Sequence, residues 1–168
     1  MNYVDVIQSI CESSNCKIYL ELGCQFGNTT RRIIAQNRKV IGVDIKQQFD
    51  LSQGFFFFYK ETTDDFFKHF NEKPDMIFID ADHKIESVKK DFINSLKILN
   101  KGGTIFIHDT DPNSLHLLQP QFCDEGYKII DWIRENYKDL DIMVLPIDEP
   151  GLTIIRRKED RRILDLIK

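Results

Sequence analysis

Four cysteines occur in 168 residues, and no two of them form a Cys-x-x-Cys pair. Cys11, Cys16, Cys24 and Cys123 have the spacing of neither a zinc site nor the dense framework of a small secreted domain, so free thiols are expected. An excess of one charge is also lacking. Twenty-three basic residues face 27 acidic ones, a net charge of −4, which gives no global pull toward nucleic acid or an anionic membrane surface. No apolar run is long enough to span a bilayer, and Met1-Asn-Tyr-Val-Asp-Val6 has neither the basic opening nor the apolar stretch of a secretion signal. A cytoplasmic protein is the expectation. Internal repeats and low-complexity segments are absent, as is the Gly-x-Gly-x-x-Gly fingerprint, which argues against a nicotinamide oxidoreductase.

What the chain does have is apolar patterning. With 42% hydrophobic and 11% aromatic residues it can bury a sizeable core, and residues 1–168 read as one domain. Val4, Ile7 and Ile10 or Cys11 recur at helical spacing, so residues 1–16 read as a structural helical cap over one end of a sheet. Ile18 to Leu22 is an apolar strand that runs into a turn with Gly23 and Gly27, and Thr29 to Gln36 follows as a helix. Glycines there allow a sharp turn and close approach of a ligand to the backbone. The carboxylate of Glu21 at the strand's end favours a ligand with positive charge over a phosphate. Cys24 reads as a small filler of that turn, with ligand contact as the alternative.

Lys39 to Val43 is a second strand, ending at Asp44. Gly54 to Tyr59 is a continuous aromatic run, read as a strand buried on both faces. Phe66, Phe67 and Phe70 mark a helix before Pro74, and Met76 to Ile79 is a strand that delivers Asp80-Ala-Asp-His83. Ile85, Val88, Phe92, Leu96 and Leu99 form an amphipathic stripe stopped by Gly102-Gly103. Thr104 to Ile107 is a strand ending in His108-Asp109. Residues 110–124 hold Pro112 and Pro120 and no sustained period, and form a candidate substrate lid. Ile129, Ile130, Ile133 and Tyr137 mark a further helix, with Trp132 assigned to the core. Asp141 to Leu145 and Leu152 to Ile155 are joined tightly enough to pair as an antiparallel hairpin. Arg156-Arg-Lys158 and Arg161-Arg162 read as a solvated basic tail, with phosphate or nucleic-acid contact as the alternative, and His69 and His116 as surface histidines.

Strands alternating with helices imply an α/β sheet covered on both faces, with its ligand crevice beyond the carboxyl ends of the strands. Glu21, Asp44, Thr62-Thr63-Asp64, Asp80 to His83 and His108-Asp109 all follow apolar strands immediately. A scatter of acids would not fall this way.

In this order the motifs resemble the class I S-adenosylmethionine-dependent methyltransferases. The resemblance runs from Glu21-Leu-Gly-Cys-Gln-Phe-Gly27 through Val43-Asp44, Phe78-Ile-Asp-Ala-Asp-His83, Lys101-Gly-Gly103 and Ile107-His-Asp109 to Gly151-Leu-Thr-Ile-Ile-Arg156. It implies a Rossmann-like doubly wound sheet of seven strands, mostly parallel, with an antiparallel strand in the C-terminal hairpin. The Asp-x-x-His and His-Asp pieces are most similar to small-molecule O-methyltransferases, including those of macrolide sugars. An Asn/Asp-Pro-Pro-aromatic segment, usual in methyltransferases of amino groups, is absent after the fourth strand. A binding domain without turnover, or one directed at a macromolecule through the loop and basic tail, is the alternative.

The resemblance gives each residue a candidate role toward S-adenosylmethionine. Glu21 suits the ammonium, directly or through water, and amides of the Gly23 to Gly27 turn suit the carboxylate. Asp44 suits the ribose hydroxyls and Ile45 the adenine face. Thr62 or Thr63, with Asp64, suits the adenine edge, or else caps a helix. Asp80 also borders the cofactor. Asp80 and Asp109, on adjacent strand ends, suit a divalent cation, Mg²⁺ from the oxygen ligands, and His83 suits a general base. His108 is either a third ligand or a neighbour of the ligands, and an imidazole there favours a softer metal or none. Asp82 reads as a helix N-cap before a ligand. The expected partner is a small hydroxylated acceptor, with a homo-oligomer left open.

Overall fold

The computed structural model describes residues 2–51, 54–148 and 150–160. Helix α1, Tyr3–Ser13, starts at a reciprocal capping box: the Asn2 side chain accepts from the Asp5 amide, and the Asp5 carboxylate accepts from the Asn2 amide. The chain then winds through β1 (Ile18–Leu22), α2 (Asn28–Ile33), β2 (Lys39–Asp44), β3 (Phe55–Lys60), α3 (Thr63–His69) and β4 (Met76–Ile79). It continues through α4 (Ile85–Ile98), β5 (Thr104–His108), α5 (Ile129–Asn136), β6 (Leu140–Leu145) and β7 (Leu152–Arg157). Helix α2 is shorter than the sequence pattern suggests, since Ile34 is already extended.

The seven strands lie in the order β3-β2-β1-β4-β5-β7-β6. Only the pairings of β7 with β5 and β6 are antiparallel among the described strands. This is the Rossmann-like sheet that the motifs imply. Because β1 is flanked by β2 on one side and β4 on the other, successive crossovers leave in opposite directions and open a crevice beyond their carboxyl ends.

Alternation along β1 sorts its side chains between two cores. Leu20 and Leu22 join Phe66, Val88, Phe92 and Ile133 in the layer of α3, α4 and α5. Tyr19 joins Ile7, Cys11, Ile33 and Phe78 in the layer of α1 and α2. With the period of a strand, Glu21 lies on the same face as Tyr19. Trp132 is half-buried, with its ring edge-on to Phe92 at the margin of the first core.

Three expectations need correction. The aromatic run of β3 is not buried on both faces: β3 is an edge strand, and Phe55 and Phe57 are 61% and 46% exposed. Helix α3 packs Phe66 on Tyr59 at the far end of the strand, and a helix of seven residues does not reach the other two rings. Arg156 and Arg157 are not in a tail, although Arg156 is solvent-exposed. They belong to β7, where Arg156 donates to the Gly102 carbonyl and Arg157 to those of Leu96 and Leu99. Arg161 and Arg162 lie outside the described residues. Nor is α1 only a cap, since Tyr3 reaches the site described next. No described helix is long and apolar enough to cross a membrane.

Candidate functional site

A cavity of about 610 Å³ opens at the carboxyl ends of β1, β2 and β4, a volume suited to a nucleotide-sized ligand. Gly23, Asp44, Ile45, Thr62, Thr63 and Asp80 line it. Ile45 is 71% exposed at its wall, an apolar side chain left uncovered beside a polar rim. That is the surface an aromatic base would cover. The carboxylates and the apolar ledge fit a ligand with an adenine, a ribose and a positive charge.

The glycine turn is built for packing as well as for ligand approach. Gly23 has φ +86°, and a Cβ there would run into the Asp80 carbonyl, so β1 and β4 come together only over a bare α-carbon. Gly27 has φ +73°, and the Phe49 ring covers the place of its side chain. Cys24 is buried and its Sγ lies 3.8 Å from the carbonyls of Glu21 and Val43, so it fills the turn. Asp44 straps the turn shut: one carboxylate oxygen accepts from the amides of Cys24 and Gln25, each at 2.9 Å, and the other from Lys46 at 3.0 Å. Two of the amides that suit a ligand carboxylate are therefore engaged by Asp44.

Glu21 lies behind the cavity, 1% exposed, on the α1 and α2 side of the sheet. Tyr19 donates its hydroxyl to it at 3.2 Å. Burial pushes its carboxyl up to about 8, against the stabilising effect of Thr30 and Tyr19 on the charged form. Thr62 is the N-cap of α3, accepting from the Asp65 amide at 3.1 Å, and its hydroxyl donates to the Asp65 carboxylate. Asp64 pairs with Lys90 at 3.0 Å. Asp82 is not the N-cap of α4, a place held by Lys84. It braces the first turn from outside, taking the Ser87 hydroxyl at 2.7 Å and the Lys84 amide at 3.3 Å.

The second half of the site is a cluster of two carboxylates and two imidazoles. Asp109 takes His83 Nε2 on one oxygen and His108 Nδ1 on the other, each at 2.9 Å. Asp80 lies 3.8 Å from His83 and 3.5 Å from His108. Asp109 is 7% exposed and holds φ +60°, a strained conformation for an aspartate, of the kind that persists where surrounding contacts enforce it. Both imidazoles are raised to about 10: His83 by its hydrogen bonds to Asp109 and Asp80, His108 by the same carboxylates, which outweigh its burial. Burial raises the Asp109 carboxyl, but the two imidazoles outweigh it and hold the group well below the usual range.

Ligand atoms of Asp80, His83 and Asp109 lie within 4.8 Å of one another, a donor set that fits a divalent cation. The imidazole of that set is His83; His108, open in the sequence between third ligand and neighbour of the ligands, is not in it. His108 Nδ1 is spent on Asp109, and its Nε2 is buried without a partner. Asp80 lines both the cavity and the cluster, so the two halves meet at its side chain.

Sequence reasoning missed two residues here. The Tyr3 ring lies 4.2 Å from that of His108, brought by a helix with no motif of its own. Asp91, 2% exposed, lines the cavity wall beside Thr63, and burial lifts its carboxyl to about 7. Its signal was an acid at the inward position three residues after Val88 in the apolar stripe. His69, paired with Glu61 at 2.9 Å, and His116, against Phe122, stand apart from the site.

A twisted sheet in this order, with a nucleotide-sized cavity at its switch point, defines a class I S-adenosylmethionine-dependent methyltransferase fold. Residues 20–110, more than half of the chain, match the family model described as a methyltransferase domain, and the chain belongs to that family. A search among curated proteins found no match. Among solved structures, one from Staphylococcus aureus, provisionally assigned as a caffeoyl-CoA O-methyltransferase, superposes with a TM-score of 0.69 at 20% identity, covering 92% of this chain and 82% of its own. The O-methyltransferase TomG of Streptomyces achromogenes, from tomaymycin synthesis and solved with S-adenosylmethionine, gives 0.68 at 13% over 92% and 78%. A protein of Clostridium thermocellum, provisionally assigned as an rRNA methylase, gives 0.69 at 12% over 94% and 96%. At these identities the likeness is one of fold.

Proposed function

We propose that this chain transfers the methyl group of S-adenosylmethionine to a hydroxyl of a small, carbohydrate-like acceptor. The observation that carries the reading is the position of Asp80, shared by the donor cavity and the acid–histidine cluster. When bound, S-adenosylmethionine supplies an electrophilic methyl. The chain's own residues then have to hold the acceptor oxygen in line with it and take its proton, because an alcohol is a poor nucleophile at neutral pH.

Ile45 carries the adenine face and Asp44, through the acceptor capacity left on its carboxylate, the ribose hydroxyls. Glu21 acts from behind the glycine turn, and gives up its proton on donor binding to set a carboxylate opposite the ammonium. Thr62 and Thr63 border the adenine edge. His83 is the base, and Asp109 orients its ring. With both carboxylates uncompensated, His83 keeps its proton at neutral pH, which a base cannot do. Mg²⁺ held by Asp80 and Asp109 would remove the charge that keeps the proton there, and would polarise the acceptor hydroxyl. His108 stands behind Asp109 as a neighbour of these ligands. Residues 110–124 serve as the lid: Gly126, just beyond them, lines the cluster beside His83. Several similar structures are named O-methyltransferases, in keeping with a hydroxyl acceptor.

A macromolecular acceptor reached through a basic tail has less support among the described residues, because Arg156 and Arg157 belong to β7 and not to a tail, with Arg157 tied to backbone carbonyls. The test is a screen of hydroxylated metabolites for release of S-adenosylhomocysteine, with and without Mg²⁺, beside calorimetry with both forms of the donor. Donor binding and release with a hydroxylated metabolite are expected. Absence of donor binding would sink the proposal.

A further inference from the structure

We infer that Tyr3 is a positioning residue, whose ring fixes the His108 imidazole and, through it, the Asp109 carboxylate at the junction of donor cavity and cluster. The kinetic part of this inference rests on the hydroxyl-methylation reading. The contact itself does not.

His108 is held by hydrogen bonding at one edge only. Its Nδ1 meets Asp109 at 2.9 Å and Asp80 at 3.5 Å, while Nε2 is buried without a partner. A ring anchored at one edge can still tilt about that edge, so its orientation depends on what packs against its faces. Phe78 meets it edge-on at 6.1 Å, and Tyr3 lies closer, 4.2 Å away at an interplanar angle of 42°. A ring packed this close against the imidazole leaves it little room to tilt.

Tyr3 is in turn fixed from several directions. Its amide donates to Asp148 at 2.8 Å, on the turn between β6 and β7, which lies beside the end of β5 because Leu152 pairs with His108. Its ring stacks on Phe78 at 5.9 Å, and its hydroxyl faces Thr29, buried at the start of α2. One residue thus links the helix after the glycine turn to the acid–histidine cluster. If His108 tilts, Asp109 loses the partner of one oxygen and is held by His83 alone, so its carboxylate can turn about that remaining bond. A small misplacement of a reacting group is costly in rate. The ring supplies this hold, so phenylalanine should replace it and an aliphatic residue should not.

The test compares wild type, Tyr3→Phe and Tyr3→Leu. At one pH, two-bond proton–nitrogen spectra of the ligand-free protein report the imidazoles, with His108 identified by its loss in His108→Gln. Tyr3→Leu is expected to move the His108 ring resonances, through loss of the tyrosine ring current, and Tyr3→Phe to keep them near wild type. In turnover, Tyr3→Leu is expected to lower kcat about tenfold or more with donor KM within about threefold, and Tyr3→Phe to retain most of kcat. His108 resonances unmoved in Tyr3→Leu, or Tyr3→Phe as impaired as Tyr3→Leu, would overturn the inference. If wild type turns over no hydroxylated acceptor, the functional reading fails by itself and the spectra alone decide the role of Tyr3. Should Tyr3→Leu not fold, Tyr3→Met carries the same readouts.

Discussion

His83 Nε2 lies 2.9 Å from Oδ2 of Asp109, so the loop beyond β4 supplies an imidazole and the end of β5 a carboxylate that holds it. In the proposed reaction His83 is the base, and replacing it tests that role. His83→Ala is expected to lower kcat about a hundredfold or more, since general-base catalysis contributes on that scale. Calorimetry with S-adenosylhomocysteine should show little change in donor affinity, because His83 lines the cluster and not the donor cavity. Unchanged turnover would move the base elsewhere.

The two carboxylates that hold a proton on His83 are the same two that suit a cation, so metal and pH are coupled. Without metal, His83 is raised to about 10 and stays protonated through the neutral range. Activity of chelated protein is therefore expected to be low at pH 7 and to climb as pH approaches that value. Adding Mg²⁺ should restore activity at neutral pH and shift the rising limb downward, because a cation on Asp80 and Asp109 removes the charge that stabilises the imidazolium. Full activity at pH 7 after exhaustive chelation would reject metal use.

Gly23→Ala tests the meeting of β1 and β4. A Cβ there would strike the Asp80 carbonyl and come within 2.6 Å of the Ala81 α-carbon, and φ of +86° adds strain for any side chain. Two strand ends must shift, one of them carrying Asp80. A loss of about 2 kcal/mol or more is expected in urea unfolding. Gly102→Ala should cost less, since nothing lies within 4 Å of its Cβ position and only the positive φ opposes it.

The sheet and its functional edge were legible because each apolar strand ends abruptly in polar residues, and Asp44, Asp80, His83 and Asp109 lie where that pattern puts them. What stayed illegible depends on distance in space. Whether an apolar run such as Phe55 to Tyr59 is central or at an edge is decided by strand order, which periodicity does not encode. Tyr3 meets His108 only because α1 folds across the sheet, and no local signal marks it. Which imidazole completes the set of Asp80 and Asp109 stayed open for the same reason: His83, on the loop beyond β4, and His108, at the end of β5, both face both carboxylates, and only their positions in space separate them. Glycines are ambiguous for a similar reason. A sequence shows that the backbone is bare at Gly23 and Gly27 but not whether a ligand, Asp80 or Phe49 comes close.

Glu21 makes a pH signature in stability. Its carboxyl has an ordinary value of 4.5 and is raised to about 8 in the folded protein, where burial opposes the charge. Between those values the unfolded chain has lost the proton and the folded chain has kept it, so the unfolded state binds fewer protons and stability falls as pH rises. The slope for one such group is about 1.4 kcal/mol per pH unit, and it flattens above the folded value. Asp91, raised to about 7, adds a slope of the same sign, so the comparison must be between wild type and Glu21→Gln. The variant should lose the part of the slope due to Glu21 and be the more stable protein at pH 7 in urea unfolding. Donor binding should then run the other way. If the ammonium of S-adenosylhomocysteine lies opposite Glu21, binding favours the carboxylate and releases a proton at pH 7. The binding enthalpy of wild type should therefore vary with the ionisation enthalpy of the buffer more steeply than that of Glu21→Gln. Equal buffer dependence in the two proteins would separate Glu21 from the ligand's charge and leave it a buried acid held by Tyr19.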